Sequence, residues 1–422
     1  MEWPLVELDR VSEVRGGATP RRERPEYWGG AVPWVTPSDL PALGSGIAEV
    51  QQTSDTITTD GLDSCSASLL PPGTVLFSSR ATIGKIGIAA VPLATNQGFA
   101  NLIPRPEVDA RYLAWCLFFN ADRIATLAGS TTFKEVTKSA LKRFRIPLPP
   151  PSEQRRIVEL LDQTDCVRRL RVEANAKAER ILPAIFFKMF GDPATNPKGW
   201  RELPIDRLAD VQGGLQLSEN RKGNIDVPYL RVANVYRNRL ELSEIKTLSV
   251  TQPELDRTRL TLGDVLVVEG HGNPAEIGRC AVWDGSIDPC VHQNHLIRAR
   301  PDPSQVRPYF LSRFLNSAAG RQHLLRCGKT TSGLNTITVS NVKSAVIFLP
   351  PLDLQQRFEE GVTSEDTTRK LRAVASVALE RLWKLLLNRA FSGSLTAQWR
   401  ESHVRELLKE MEHQARALAE VM

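Results

Sequence analysis

Apolar residues recur at intervals of three and four along two long stretches of the chain. In residues 146–191 (IPLPPPSEQRRIVELLDQTDCVRRLRVEANAKAERILPAIFFKMFG) the periodic set is Ile157, Leu160, Leu161, Val167, Ala174, Ala178, Ile181 and Ile185. In residues 347–393 (IFLPPLDLQQRFEEGVTSEDTTRKLRAVASVALERLWKLLLNRAFSG) it is Leu371, Val374, Ala378, Leu382 and Leu385. That period is helical. Each stretch opens with a strand-like run stopped by prolines, Pro149-Pro150-Pro151 and Pro350-Pro351, which lack the N–H a β-ladder needs. Ser152 and Asp353 follow as N-caps, Glu153 suits the positive end of the helix dipole, and Gly191 and Gly393 suit the stops. About 38 residues at ~1.5 Å each make a rod of roughly 57 Å.

A rod that long with one apolar stripe needs a partner, and the expected partner is the other copy, in an antiparallel coiled coil. The alternative is two unrelated amphipathic helices in a larger core; globular helices, however, average only about 11–12 residues. Pro183 is expected to kink the first rod. Gly361 is expected to weaken the second by roughly 1 kcal/mol relative to alanine.

Ahead of each rod, short Val/Ile/Leu/Phe runs separated by Gly, Pro, Asn and Asp predict a β-rich globule with one helix near its end, about 109–127 and 306–326. The globules resemble each other. Val32-Pro33-Trp34-Val35 matches Val227-Pro228-Tyr229-Leu230, and Pro72-Gly73-Thr74-Val75-Leu76-Phe77 matches Leu262-Gly263-Asp264-Val265-Leu266-Val267. Ile83-Gly84-Lys85 matches Ile277-Gly278-Arg279, Asn96-Gln97 matches His292-Gln293, Tyr112 matches Tyr309, and Gly129-Ser130-Thr131-Thr132 matches Gly328-Lys329-Thr330-Thr331. The order never breaks, which chance matches would not preserve, so the chain is an internal duplication. The expected fold class is α+β: two β-rich domains, 1–148 and 192–349, separated by two long antiparallel helices, 149–191 and 350–393, in a pseudo-two-fold repeat. A C-terminal amphipathic tail, 394–422, carries Val404, Leu407, Leu408 and Met411.

The 422 residues suffice for two or three domains with sizeable cores. At 41% hydrophobic and 24% charged, with no apolar run of transmembrane length and no signal-peptide core, the chain reads as soluble. Six scattered cysteines without a CxxC pair suit a cytoplasmic protein with free thiols. The net charge of +6 permits a nucleic-acid partner without requiring one.

Catalytic motifs are missing. Pro350-Pro351 follows Leu349, where an adenine methyltransferase needs Asn or Asp. Gly270-His271-Gly272-Asn273-Pro274-Ala275 fits a dinucleotide turn on paper, but that turn must open a helix, and Pro274 followed by Cys280-Ala281-Val282 reads as a hairpin turn and strand. Gly84-Lys85 lacks the rest of a P-loop. Cys290, His292 and His295 lie close together, yet no fourth zinc ligand stands at matching spacing, so no metal is expected. The chain is expected to catalyse nothing alone.

Binding chemistry is better represented. In the first globule the candidates for DNA contact are Arg21 and Arg22 beside Tyr27 and Trp28, then Ser79, Arg80, Thr82 and Lys85, then Thr131, Thr132 and Lys134. In the second they are Arg221, Lys222, Arg231, Asn234, His271, Asn273, Lys329, Thr330, Thr331 and Asn335. Arg and Lys bind phosphates or guanine, Asn and Gln read adenine edges, and Ser and Thr serve either. Singly, each is more often a solvated surface residue. Asn96-Gln97 also fits a buried pair that holds the β framework.

These stretches together resemble the specificity (S) subunit of type I restriction-modification systems, over nearly all of 1–393. The resemblance rests on the IPLPPPSEQRRI and IFLPPLDLQQRF starts, the MFGDPATNPKGW and NRAFSGSLT exits, GGATP…YWGG…VPWVTPSDL and GTVLFSSRATIGKIGIA…NQGF; the second globule departs more, with VVEGHGNPAEIGRCAV and HQNH. It implies two target recognition domains, each reading half of a split double-stranded DNA sequence, and helices that act as a coiled-coil ruler. It implies two methyltransferase (M) subunits docked on those helices, for which Ile157, Leu161, Ile181, Ile185, Leu371, Val374, Leu382 and Leu385 are the candidates. Those partners would bring S-adenosylmethionine chemistry to adenine N6; ATP and Mg would belong to partner subunits, with no cofactor in this chain. Whether restriction (R) subunits join is left open, as are the target bases and the spacer length. A coiled-coil-bridged scaffold for proteins is the competing class, and it predicts no sequence-selective DNA retention.

Overall fold

The computed structural model describes residues 3–129, 134–218, 223–327, 329–331 and 334–420. The chain divides into two compact units, Met1–Ala174 with Val374–Met422, and Asn175–Ala373. This differs from the division expected from sequence. The long helices are not bodies of their own, because their ends carry the apolar residues that complete the two cores.

Each unit is built on a strand with no polar face. Val75–Ser78 and Val265–Val268 are buried at every position, so both faces need cover. Successive side chains point to opposite faces. Val75 and Phe77 accordingly join the core that includes Tyr112 and Trp115 of the helix Ala110–Phe119, while Leu76 packs with Leu70 and Phe99. In the second unit Val265 and Val267 join Phe310 and Phe314 of the helix Pro308–Asn316, while Leu266 and Val268 pack with Leu230 and Trp283. Asp109 starts the first of these helices by accepting from the N–H groups of Arg111 and Tyr112.

Four strands of each sheet repeat in the same order, and the first unit adds a fifth, Ala48–Val50. In the first unit the order is Ser12–Gly16, Phe99–Pro104, Val75–Ser78, Ile86–Ala89, Ala48–Val50; in the second it is Ala209–Gly213, Leu296–Pro301, Val265–Val268, Cys280–Val282. Register is kept as well: Val75 lies opposite Leu102 and that opposite Val14, as Val265 lies opposite Ala299 and that opposite Val211. The strand-like runs before the rods pair with the start of each unit, Arg145–Pro147 with Leu5–Glu7 and Val346–Leu349 with Arg201–Pro204. No helix among the described residues is long and apolar enough to cross a membrane.

The first long helix runs Pro151–Ala178 and, after a break, resumes as Ile181–Phe190. The break falls ahead of Pro183 rather than at it: a proline ring clashes with the carbonyl four residues back, here Glu179, and Pro183 then sits in a first turn where its missing N–H costs nothing. The second, Leu352–Phe391, is unbroken for 40 residues, about 60 Å, and passes through Gly361. Gly191 and Gly393 stop the helices at φ of 88° and 78°. Ser152 and Asp353 lie inside the first turns rather than at caps. Glu410, from the C-terminal helix Val404–Glu420, supplies the cap instead, accepting from Ser152 N at 3.0 Å and Oγ at 2.7 Å.

The expected mutual stripe is only partly formed. Ile157 and Leu161 pack with Trp383, Leu387 and Phe391 in the first unit, and Leu182, Phe186 and Phe190 with Phe358 and Val362 in the second. Within each unit, the start of one rod therefore meets the end of the other. Val167 of the first helix is exposed, and so are Leu371, Val374, Leu382 and Leu385 of the second, whose packing face carries Phe358 and Val362 in one unit and Trp383 and Leu387 in the other.

A buried carboxylate fastens the C-terminal segment. Glu153, with no exposed surface, accepts from Trp3 Nε1 at 2.9 Å, Thr396 Oγ1 at 2.6 Å and Arg400 Nε at 2.8 Å. The matched residue of the second unit is Leu354. Glu153→Leu would leave the largely covered Arg400 without its counter-charge and is expected to destabilise the chain by about 3 kcal/mol. Urea unfolding followed by tryptophan fluorescence measures this, and an unchanged midpoint would show that the carboxylate does not hold the segment.

Candidate nucleic-acid interface

In both units the buried central strand runs out into a loop that is tied to a second loop near the end of the globule. In the first unit Val136 N donates to Ser79 O at 2.9 Å, and Arg80 and Glu135 form an antiparallel bridge. In the second Ile337 N donates to Glu269 O at 2.8 Å, and His271 lies opposite Asn335. The contact is the same one, since Ser79 and Glu269 follow matched strands. The second unit extends it into a three-stranded sheet of Gly270–His271, Leu334–Thr336 and Lys329–Thr331.

The first loop is stiffened from inside. Ser78 Oγ donates to Thr82 O at 2.6 Å and accepts from Lys85 N at 2.8 Å, while Ala81 takes a left-handed φ of 57°. This leaves Arg80, Thr82 and Lys134 at the surface, with Arg80 Nε 2.8 Å from Glu135. An exposed ion pair of this kind is weak enough for a phosphate to displace. Arg22 is also pre-positioned: its guanidinium lies 4.1 Å from the Trp28 ring and 3.0 Å from Asp55. Arg21 is exposed beside it, its carbonyl accepting from Trp28 Nε1.

Three candidates belong to the frame instead. Ser79 is buried with Oγ directed at Gly98 O. Lys85 Nζ donates to the carbonyls of Pro37 at 2.7 Å and Leu40 at 3.3 Å. Asn234 is buried, accepting from Arg231 N and donating to the carbonyls of Glu241 and Glu244. In each case a short polar loop needs its backbone groups satisfied, and the candidate side chain satisfies them. Arg231 is drawn back to Glu244 at 2.6 Å.

His271 and Asn273 lie in a tight turn: Asn273 N donates to His271 Nδ1, and Asn273 Oδ1 accepts from Ala275 N. A single 3-10 turn, Pro274–Glu276, follows and then a strand, so this glycine-rich segment is a hairpin turn and not a dinucleotide turn. Of Lys329, Thr330, Thr331 and Asn335 the backbone alone is described. Thr131, Thr132, Arg221 and Lys222 lie outside the described residues. Gln97, read from sequence as fitting a buried pair, is exposed and hydrogen-bonded to Thr19. It sits next to Gly98, whose carbonyl accepts from Ser79 N. The NQGF run marks the position, but which side of the strand it faces was not legible.

Cys290, His292 and His295 do not converge. His292 is buried, its Nδ1 3.2 Å from Thr258 O, and burial, with Arg298 adding to it, pulls its pKa down to about 4. Burial pushes the Cys290 thiol up to about 12. His295 faces Glu269 at 3.4 Å, whose pKa is raised by burial. Among the described residues no three His, Cys, Asp or Glu side chains gather as metal ligands.

Of the candidate docking residues, Ile157 and Leu161 are fully buried in the first core and present no surface. Ile181, Ile185, Leu371, Val374, Leu382 and Leu385 are exposed.

Comparison with known proteins agrees with the repeat. A family model described as type I restriction modification DNA specificity domain matches twice, over residues 1–180 and 197–373. The type I restriction enzyme MjaIX specificity subunit of Methanocaldococcus jannaschii is 27% identical over 378 residues, covering 85% of each chain. The EcoKI specificity subunit of Escherichia coli is 27% identical over 352 residues, covering 76% of this chain and 74% of its own. Two solved chains share the fold. One comes from work on complex assembly and conformational transition of the type I R-M system (TM-score 0.61, 19% identity, 93% of this chain and 98% of that one). The other is an S subunit from M. genitalium (TM-score 0.53, 16% identity, 92% and 96%).

The buried histidine has a consequence for stability against pH. Unfolded, His292 takes up a proton around pH 6.5; folded, it resists protonation down to about 4. Its contribution is therefore intact above about pH 6.5 and is lost as pH falls toward 4, by up to about 3 kcal/mol. His292→Asn, which installs the residue of the matched position 96, is expected to flatten that part of the curve. Urea midpoints between pH 7 and 4 check this, and parallel curves for the two proteins would refute it.

Proposed function

The chain belongs to the type I restriction modification DNA specificity family, and from that premise we propose how its two units divide the work. It is the non-catalytic, DNA target-recognizing subunit of a restriction-modification assembly. In our reading each unit reads one half of a bipartite target. The observation that carries this is the repeated hydrogen bond, Val136 to Ser79 and Ile337 to Glu269, which holds matching loops in matching places while their side chains differ. One frame with two sets of side chains suits the reading of two different half-sites.

Arg22, Arg80, Thr82 and Lys134 are the contacts of the first unit in this scheme, and His271, Asn273 and the strands Lys329–Thr331 and Leu334–Thr336 those of the second. The long helices form a coiled-coil spacer that fixes the unread gap. Leu371, Val374, Leu382 and Leu385, exposed among the described residues, are surface for two methyltransferase subunits. Those partners hold S-adenosylmethionine and methylate adenine N6, one adenine per strand.

Exchanging residues 192–349 for the corresponding domain of another such subunit is expected to change one half of the methylated sequence and leave the other intact. Mapping methylated adenines reads this directly, and a change in both halves would overturn the modular scheme. In the complex with methyltransferase subunits, Arg80→Ala with Lys134→Ala is expected to keep assembly. It should lower DNA affinity roughly tenfold and make the salt slope shallower by about 0.9 for each phosphate that is no longer neutralised. Leu382→Glu with Leu385→Glu is expected to prevent co-purification of the methyltransferase. Loss of assembly in the first variant, or intact assembly in the second, would refute the assignment of these surfaces.

A further inference from the structure

The two copies differ at one place where their frames agree. Counted from Gln154 and Gln355, which open the long helices, Asp165, Arg168 and Arg169 match Asp366, Arg369 and Lys370; counted from Tyr112 and Tyr309, Cys116 matches Arg313. In the first unit this constellation is closed. Asp165 is buried and gripped by Arg168 at 3.0 Å and Arg169 at 3.1 Å, and the Arg168 guanidinium lies 4.7 Å from the Trp383 ring. The hollow beside it, about 380 Å³, is charge-balanced, with Arg168 and Lys384 against Asp122 and Glu380.

In the second unit the same constellation opens on a cavity of about 700 Å³ lined by six basic side chains and three carboxylates. It shares Arg239, Arg313 and Lys370 with an adjoining hollow of about 230 Å³ that includes Tyr309. Asp366 is engaged by Arg369 at 3.0 Å, and Glu365 by Arg372. Among the described residues, Arg239, Arg313 and Lys370 have no carboxylate within ion-pairing distance. Arg313 stands where the other copy has a buried cysteine. Burial, with Arg369 beside it, draws its pKa below the ordinary guanidinium range although Asp366 opposes this. A half-buried cation without a counter-ion is unfavourable unless an anion joins it.

We propose that this cavity of the second unit binds a small phosphate-bearing anion of nucleotide size, a function separate from target reading. Guanidinium groups match phosphate oxygens in geometry and charge. The volume falls in the range of about 300–1,000 Å³ usual for small-ligand sites. Leu182, Leu240 and Tyr309 supply apolar walls for the remainder of the ligand. The matched place in the first unit, with its balanced charge, does not bind such a ligand.

Calorimetric titration of the full-length chain with ATP, tripolyphosphate and adenosine tests this. ATP and tripolyphosphate are expected to saturate one site, and adenosine to show no binding. Arg313→Cys is expected to weaken both phosphates at least tenfold. The exposed Lys370→Glu, which leaves the core untouched, is expected to weaken them at least fivefold, while Lys384→Ala in the first unit has no effect. Absence of saturable binding, equal binding by adenosine, or insensitivity to Lys370→Glu would overturn the proposal. Displacement of tripolyphosphate by duplex DNA, with DNA affinity falling in parallel in both second-unit variants, would assign the cavity to the DNA backbone and equally overturn it.

Discussion

In both units a fully buried glutamine, Gln154 or Gln355, takes up three backbone groups where the long helix leaves the globule. Gln154 Nε2 donates to Glu107 O at 2.9 Å and Pro149 O at 2.8 Å, and its Oε1 accepts from Asp109 N at 2.7 Å. Gln355 repeats this with Gln305 O, Pro350 O and Arg307 N. Carbonyls in a proline-rich lead-in have few other donors, and leaving them unpaired away from water would cost about 1–3 kcal/mol each. The amide is therefore the joint that fixes where each helix starts relative to the sheet and to the helix capped by Asp109 or led by Arg307. The loops are carried by the sheet, so the joint also fixes where they stand relative to the start of the long helix.

The joint is duplicated, but what surrounds it is not. The first unit surrounds it with the C-terminal segment: Gln414 Nε2 reaches the same carbonyls of Glu107 and Pro149, and Glu153 gathers Trp3, Thr396 and Arg400. The second has Leu354 in place of Glu153 and Asp353 in place of Ser152, so an acidic residue such as Glu410 would meet repulsion there. Duplication thus preserved the mechanical frame, while one copy acquired a charged clasp and the other a cationic cavity.

The same division holds at the loops. A strand buried on both faces cannot change without disturbing two cores, so Val75–Ser78 and Val265–Val268 stay alike in register and burial. The loop that follows is held by backbone groups, which leaves its side chains free to vary. Arg80 against Glu135 in one unit and Gly270 against Thr336 in the other occupy the same backbone contact with unrelated chemistry.

The sequence by itself determined the duplication, the strand runs, the helices and their glycine stops, because each rests on local rules: period, proline's missing N–H, and the left-handed φ that glycine accepts. It also placed matching loops after matching strands, since matched frames imply matched loops. Only the tertiary structure decided which polar residues those loops leave available. Ser79, Lys85 and Asn234 have the right chemistry for DNA, yet each is consumed by backbone groups: those of Ser79 and Lys85 lie 19 to 48 residues away, where no local signal records them, and those of Asn234 lie within its own loop. It also decided which apolar residues of the rods are covered. Ile157 and Leu161 meet Trp383 and Leu387, while Leu382 and Leu385 meet solvent. Period reveals that a helix has an apolar side; which of its residues find a neighbour depends on contacts made across more than two hundred residues of chain.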